Sequence, residues 1–140
     1  AACAWLAWNW MPNIVEIKEQ PAQPATVSGA WQPWRPGLAD KIVAAGRPVF
    51  VDYTAAWCVT CQYNKKTTLA DAEVLADLAA RNVALLRADW TRRDPAITAA
   101  LTQLGRSGVP VYVLHAPGKA PVVFSEILSA SDLRAALAAL

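Results

Sequence analysis

Trp57-Cys58-Val59-Thr60-Cys61 follows an apolar run at residues 48–53, which reads PVFVDY. This run is rich in β-branched and aromatic residues and therefore predicts a buried strand. We expect a helix to begin at Cys58, which places the first thiol at the helix N-terminus and the second one turn further in. Unpaired N–H groups and the helix dipole favour a thiolate at that end.

Two cysteines separated by two residues can close a small disulfide, and this spacing is typical of thiol–disulfide exchange. A zinc site would need two more ligands, and Cys3 and His115 are remote and lack a paired-ligand spacing. A purely structural disulfide is the other alternative, although closing so short a loop removes little entropy from the unfolded chain. We favour redox chemistry at Cys58 and Cys61, with no metal and no cofactor besides their disulfide.

The composition indicates one domain with a short extension. The chain has 140 residues, a formal net charge of +2 and a hydrophobic fraction of 55%, which suffices for a core. Basic residues occur in pairs such as Arg92-Arg93 rather than in stripes. We therefore interpret them as solvated surface and expect no nucleic-acid partner.

The N-terminal part differs from the rest of the chain. Residues 1–12 are almost uncharged and contain Trp5, Trp8 and Trp10, but they are too few to span a bilayer, which takes roughly 20 apolar residues. They are either the end of a transmembrane helix with its tryptophans at the interface, which we favour, or an apolar segment folded onto the domain. Residues 13–36 contain four prolines among polar residues and predict an extended linker.

The domain is therefore expected over residues 37–140. Periodicity and capping residues predict helices near 38–45, 58–68, 71–81, 95–104 and 131–140, and strands near 49–53, 83–89, 111–114 and 122–124. Strands alternate with helices at first and a hairpin follows. This order predicts an α/β fold with a mixed central sheet covered by helices on both faces.

The strand, the Trp-Cys-x-x-Cys motif and the later Gly108-Val109-Pro110 together resemble the thioredoxin fold over about residues 36–140. The resemblance implies that Pro110 is a cis proline that faces the two cysteines. Val109, just before it, would then offer its backbone to an extended partner strand.

The chain resembles one branch of that superfamily more closely than it resembles the others. Residues 46–58 (GRPVFVDYTAAWC), 88–91 (ADWT) and 105–110 (GRSGVP), with Val59 and Thr60 between the cysteines, are similar to the C-terminal periplasmic domain of the DsbD-type thiol:disulfide interchange reductases. The resemblance implies an enzyme that relays electrons from a membrane-embedded domain of the same protein to periplasmic disulfide acceptors, at the periplasmic face of the bacterial inner membrane. A disulfide oxidase or isomerase, and a non-catalytic binding module, are the alternatives.

The roles of the site residues follow from exchange chemistry and from the resemblance. Cys58 is expected to attack and Cys61 to resolve the mixed disulfide. By resemblance Asp52 is a buried acid that assists proton transfer, its alternative being an ordinary polar residue at a strand end. Trp57 is expected to flank the site and contact partners.

Lys65 departs from the DsbD-type pattern, which usually has a glutamate four residues after the second cysteine. A cation there favours a thiolate, so we expect Cys58 to be more acidic than in the usual relative. Alternatively, Lys65 extends outward and has no effect on the site.

Overall fold

The computed structural model describes residues 30–140, so the predictions for residues 1–12 and for most of 13–36 lie outside the described residues. The elements in chain order are β1 (Trp31–Pro33), α1 (Leu38–Ala44), β2 (Val49–Thr54), α2 (Val59–Lys66), a 3₁₀ turn (Thr68–Ala70), α3 (Ala72–Ala80), β3 (Ala84–Asp89), α4 (Pro95–Gln103), β4 (Val111–His115), β5 (Val122–Val123) and α5 (Ala130–Ala138).

The strands form one mixed sheet in the order β1-β3-β2-β4-β5. β1 and β2 both run parallel to β3, whereas β4 is antiparallel to β2 and β5 is antiparallel to β4. The central strand β2 is buried along its whole length, which explains its nearly continuous apolar sequence. The predicted α/β class with a mixed central sheet is confirmed.

Side chains alternate along β2 and divide the core into two layers. Phe50 packs with residues of α3 and α5 on one face, whereas Val49 and Val51 pack with α1 and α4 on the other. Helices therefore cover both faces of the sheet, as predicted.

Local capping signals predicted the helix starts well. The side chains of Asp71 and Asp94 accept backbone hydrogen bonds at the starts of α3 and α4, and Pro95 occupies the first turn of α4. The helix predicted over 58–68 ends earlier, because α2 stops at Lys66 and a 3₁₀ turn follows. In that turn Thr68 Oγ1 donates to the distant Leu128 carbonyl at 2.6 Å, a contact with no local sequence signal.

The edge strand β1 was not predicted. The structure pairs residues 31–33, which sequence analysis assigned to the linker, with residues 85–87 of β3. Pro33 is tolerated because an edge strand has one side without a partner strand, so a missing N–H need not break a ladder. Trp31 packs on the first core layer and Trp34 on the second.

Candidate active site

The two cysteines of the motif are joined by a disulfide at the start of α2, with their Cα atoms 5.2 Å apart. Cys58 is the N-cap residue, and its Sγ accepts a hydrogen bond from the Cys61 N–H at 3.1 Å. Cys58 retains 7% of its surface exposed, whereas Cys61 is completely buried. An incoming sulfur therefore has access to Cys58, and the helix N-terminus stabilises negative charge there.

A loop with a cis peptide bond lies against this disulfide. The Val109–Pro110 bond is cis, as the resemblance implied, and Val109 packs on the cluster of Ala55, Cys58 and Cys61. Residues 105–111 together with Glu126 line a shallow cleft of about 230 Å³. The fold thus brings Val109 to the redox pair, although about 50 residues separate them in the chain.

Asp52 lies in the middle of β2 and is completely buried. Its Oδ2 accepts a hydrogen bond from Arg87 Nε on β3 at 3.1 Å, but its Oδ1 has no hydrogen-bond partner among the described residues. Burial raises the pKa of Asp52, and the positive charges of Arg87 and then Lys65 oppose that rise. Asp52 is therefore a buried acid rather than a solvated strand-end residue.

Lys65 is half-buried, and its Nζ donates a hydrogen bond to Thr54 Oγ1 at 2.7 Å. The ammonium is thus directed onto β2 rather than outward from α2. Burial lowers the pKa of Lys65, whereas the carboxylate of Asp52 acts in the opposite direction. The side chain connects the helix that carries the cysteines to the strand that carries Asp52.

Trp57 is held by the loop that follows β3. Its ring is 49% exposed, its Nε1 donates to the Thr91 carbonyl at 3.0 Å, and its centroid lies 5.9 Å from that of Trp90. The guanidinium of Arg93 lies 5.0 Å from the Trp57 ring and 4.8 Å from the Trp90 ring, a favourable cation–π arrangement. Trp57 is therefore fixed beside the disulfide with about half of its surface available to a partner.

Thr91 connects the loop after β3 to the segment before Cys58 through hydrogen bonds of its hydroxyl group. Its hydroxyl accepts from the Ala56 N–H at 2.8 Å and donates to Asp89 Oδ1. Hydrogen bonds from the Thr91 hydroxyl and N–H lower the pKa of Asp89. Through Thr91, the segment that leads into the cysteines is thus linked by hydrogen bonds to Asp89 at the end of β3.

Comparison with known proteins agrees with this geometry. A family profile described as "Thioredoxin-like" matches residues 30–117. The chain belongs to the thioredoxin-like family. It is 35% identical over 102 residues to thiol:disulfide interchange protein DsbD 1 of Pseudomonas aeruginosa, a match that covers 69% of this chain and 17% of that protein. The DsbD of Escherichia coli is 38% identical over 72 residues, covering 51% of this chain and 12% of that protein.

Solved structures of this thioredoxin-like family show the same fold. The oxidised C-terminal domain of Neisseria meningitidis DsbD gives a TM-score of 0.60 at 21% identity, covering 72% of this chain and 88% of that one. A thioredoxin from Thermus thermophilus gives 0.60 at 20% identity, covering 78% and 84%. The chain is a thioredoxin-like disulfide oxidoreductase domain similar to the C-terminal domain of DsbD, and it spans less than a fifth of the curated relatives' length.

Exposed apolar side chains surround the entrance to the disulfide of this thioredoxin-like domain. Trp57, Val59 and Tyr63 are 49%, 83% and 54% exposed, and Val59 and Tyr63 lie one turn apart on α2. Thr60, between the cysteines, is half-buried. Exposed side chains of this size beside a reactive group are typical of a surface that binds another protein.

Sequence reasoning missed two residues that support the thioredoxin-like site. Arg87 was not singled out, because its pairing with Asp52 is decided by the β2–β3 register. Asn64 was also missed: its completely buried amide donates to the Tyr112 hydroxyl at 2.9 Å and to the Glu126 carbonyl at 2.8 Å. The one usable signal for Asn64 was its place one helical turn after Cys61.

Other groups lie away from the disulfide. His115 pairs with Val49, at the opposite end of β2 from the cysteines. Burial lowers the pKa of His115, and Asp40 opposes this shift. Within residues 30–140, no cluster of three or more His, Cys, Asp or Glu side chains has the arrangement of a metal site. Over the same residues, every helix is too short or too polar to cross a membrane.

Proposed function

We propose that this domain relays electrons from a membrane-embedded domain of the same, longer protein to periplasmic disulfide acceptors, as a protein-disulfide reductase at the periplasmic face of the inner membrane. The observation that carries the proposal is the Cys58–Cys61 disulfide, whose attacking residue Cys58 caps a helix N-terminus and keeps 7% of its area exposed, whereas Cys61 has none. The similarity to DsbD supports the direction of electron flow, and the 17% share of the Pseudomonas relative that is covered leaves room for the electron-donor domain.

The exchange proceeds in two steps that conserve electrons. The thiolate of reduced Cys58 attacks one sulfur of the acceptor disulfide, a Cys58–acceptor disulfide forms, and the other acceptor sulfur leaves as a thiolate. Cys61, deprotonated, then attacks Cys58 Sγ and releases the second acceptor thiolate. The acceptor gains two electrons and the Cys58–Cys61 pair returns to the disulfide.

Asp52 assists the second step in this proposal. Cys61 has no exposed surface, so its proton has to pass to a protein group rather than directly to bulk water. The unpartnered Oδ1 of Asp52 and the raised pKa that burial causes make this carboxylate a better proton acceptor than a solvated aspartate. Asp52 is thus neutral after Cys61 attacks and returns the proton when the pair is reduced again.

Partner proteins bind at the rim formed by Trp57, Val59 and Tyr63. These side chains offer exposed apolar area beside Cys58, and Thr60 lies between the two cysteines. Val109 presents its backbone to an extended segment of the partner, and Pro110 fixes the direction of that loop.

A second candidate is a disulfide oxidase or isomerase on the same fold. The observation that favours it is the pair of cations, Lys65 and Arg87, around Asp52. Positive charge stabilises the thiolate of the reduced pair and therefore makes the disulfide more oxidising. The non-catalytic binding module, the third interpretation, requires that Cys58 does not react.

The reduction potential of the Cys58–Cys61 pair tests these functions. A Cys3→Ser chain is equilibrated in glutathione buffers, and the reduced fraction is counted by thiol labelling and mass. A potential below about −200 mV is expected and supports electron delivery, whereas a value near about −120 mV contradicts it and favours the oxidase. Absence of exchange at every buffer ratio leaves only the binding module. A Cys61→Ser variant, which cannot close the disulfide, is the control.

A further inference from the structure

A cluster of charged groups joins α2, the helix that carries the redox pair, to the strands β2 and β3. Asp52 and Thr54 are two residues apart on β2, so their side chains point to the same face of the sheet. Arg87 of β3 binds the Asp52 carboxylate at 3.1 Å, and Lys65 of α2 binds the Thr54 hydroxyl at 2.7 Å. Both Asp52 and Thr54 are buried, so the charges of this cluster are only partly screened by water.

The cluster carries more positive than negative charge, although only its carboxylate is completely buried. One buried carboxylate, Asp52, faces two cations, Arg87 from β3 and Lys65 from α2. From β4, Tyr112 faces Asp52, and burial raises the pKa of this phenol above its usual range, so that it stays neutral. Asp89, at the end of β3, also faces Lys65, but it is exposed and its charge is screened.

Lys65 is the member of this cluster that lies nearest the cysteines in the chain. It follows Cys61 by one helical turn, and Thr54, which binds it, precedes Cys58 by four residues. The ammonium of Lys65, in the last turn of α2, is therefore held against the end of β2, four residues before Cys58. A solvated lysine would lose this geometry because its side chain has several freely rotating bonds.

We propose that Lys65 is a positioning residue of the exchange reaction, whose ammonium, held by Thr54, completes a net positive cluster with Asp52 and Arg87 and stabilises the thiolate of reduced Cys58. The inference rests on the proposed function, because it concerns the reactivity of the same thiol. Lys65 acts through the electric field and does not touch the partner. Its charge also opposes the rise in the Asp52 pKa that burial causes.

The test compares two neighbouring lysines of α2. Lys65→Gln removes the charge but keeps an amide that can donate to Thr54, whereas Lys66→Gln removes the same charge from an exposed side chain. The rate at which iodoacetamide alkylates the reduced full chain, in a Cys3→Ser background, is measured against pH. We expect the midpoint of the profile to rise by about half to one pH unit in Lys65→Gln and to stay unchanged in Lys66→Gln. Lys65→Arg, which keeps the charge, is expected to restore the wild-type midpoint.

The outcomes separate the inference from the function on which it rests. Equal midpoints in Lys65→Gln, Lys66→Gln and the parent chain overturn the role of Lys65 while leaving exchange by Cys58 intact. Absence of exchange in the parent chain refutes the proposed function itself. If Lys65→Gln proves unfolded by circular dichroism, Lys65→Met, which also removes the charge, decides: a raised midpoint supports the inference and a wild-type midpoint overturns it.

Discussion

At the scale of single residues, the burial of the Asp52 carboxyl group is unfavourable for stability. Its carboxyl group is completely buried, one oxygen lacks a partner, and the Arg87 that binds the other oxygen is itself partly exposed. Burial of an incompletely bonded carboxylate destabilises a fold. Such a group is typical of a site where proton transfer rather than stability is selected.

Replacement of Asp52 by Asn is expected to stabilise the domain at neutral pH by on the order of 1–2 kcal/mol, because the buried charge disappears while Arg87 keeps an oxygen acceptor. Burial raises the folded-state pKa of Asp52, so the native state binds a proton more tightly than the unfolded chain. The stability of the parent chain therefore falls as pH rises from about 4 through the folded-state pKa. The stability of Asp52→Asn is not expected to fall over this pH range, because an amide does not titrate.

Urea unfolding at a series of pH values checks this expectation. Asp132→Asn, which removes an exposed carboxylate of α5, is the matched control and should follow the parent chain. If the free energies of unfolding of Asp52→Asn and of the parent chain changed with pH in the same way, burial would not raise the pKa of Asp52.

The two cysteines are expected to differ sharply in reactivity. Cys58 keeps 7% of its area exposed and Cys61 none, so a reduced Cys61→Ser chain treated with oxidised glutathione should accumulate a mixed disulfide on Cys58. Cys58→Ser should form the adduct on Cys61 roughly a hundredfold more slowly, because the buried sulfur reacts only after local opening. Mass spectrometry in a Cys3→Ser background measures both rates, and equal rates would contradict the assigned order of attack.

At the scale of elements, α2 is attached to the body of the domain through Asn64. Besides its bonds to Tyr112 and Glu126, its Oδ1 accepts from the Leu128 N–H at 3.2 Å. A helix of eight residues is too short to be stable alone. The buried amide of Asn64 therefore attaches α2, which carries the cysteines, to β4 and to the segment before α5.

Asn64→Ala is expected to lower the free energy of unfolding by about 2–4 kcal/mol, because it leaves buried donors and acceptors of Tyr112, Glu126 and Leu128 unsatisfied. Lys66→Ala changes an exposed position of the same helix and should stay within about 0.5 kcal/mol of the parent chain. Chemical denaturation of both variants is the measurement. A loss at Asn64 no larger than at Lys66 would mean that the amide network contributes nothing to stability.

At the scale of the whole molecule, contacts run from the edge of the sheet to its centre. Arg87 lies 4.1 Å from the centroid of the Trp31 ring on β1 and also binds Asp52 on β2. Trp31 packs against Phe50 as well. The short strand β1 thus belongs to the support of the buried acid, although it lies at the edge of the sheet.

Trp31→Ala is expected to destabilise the domain by roughly 2–3 kcal/mol through lost apolar burial and the lost cation–π contact. The amides of β1 should also exchange with deuterium much faster, since little else buries this strand. Gln32→Ala, at an exposed position of the same strand, is the control. Unchanged exchange in Trp31→Ala would show that the backbone pairing with β3 alone holds β1.

Local sequence was sufficient wherever a feature depends on neighbouring residues. The cysteine spacing, the apolar run of β2 and the Asp94-Pro95 helix start each involve residues only a few positions apart, and each appeared in the structure as predicted. The cis bond at Pro110 followed from the family resemblance rather than from local physics, since few X-Pro bonds are cis.

Tertiary structure decided what depends on distant partners. The sequence by itself determined the redox pair, the class of fold and the buried strand, because periodicity and spacing encode them locally, whereas the acid on that strand was expected from the family resemblance. The partner of Asp52 lies 35 residues away and that of Asn64 48 residues away, and β1 pairs with residues 85–87 of β3, more than 50 positions further along the chain. Strand register and packing bring such groups together, so the electrostatic surroundings of the cysteines were set by the folded chain and not by the motif.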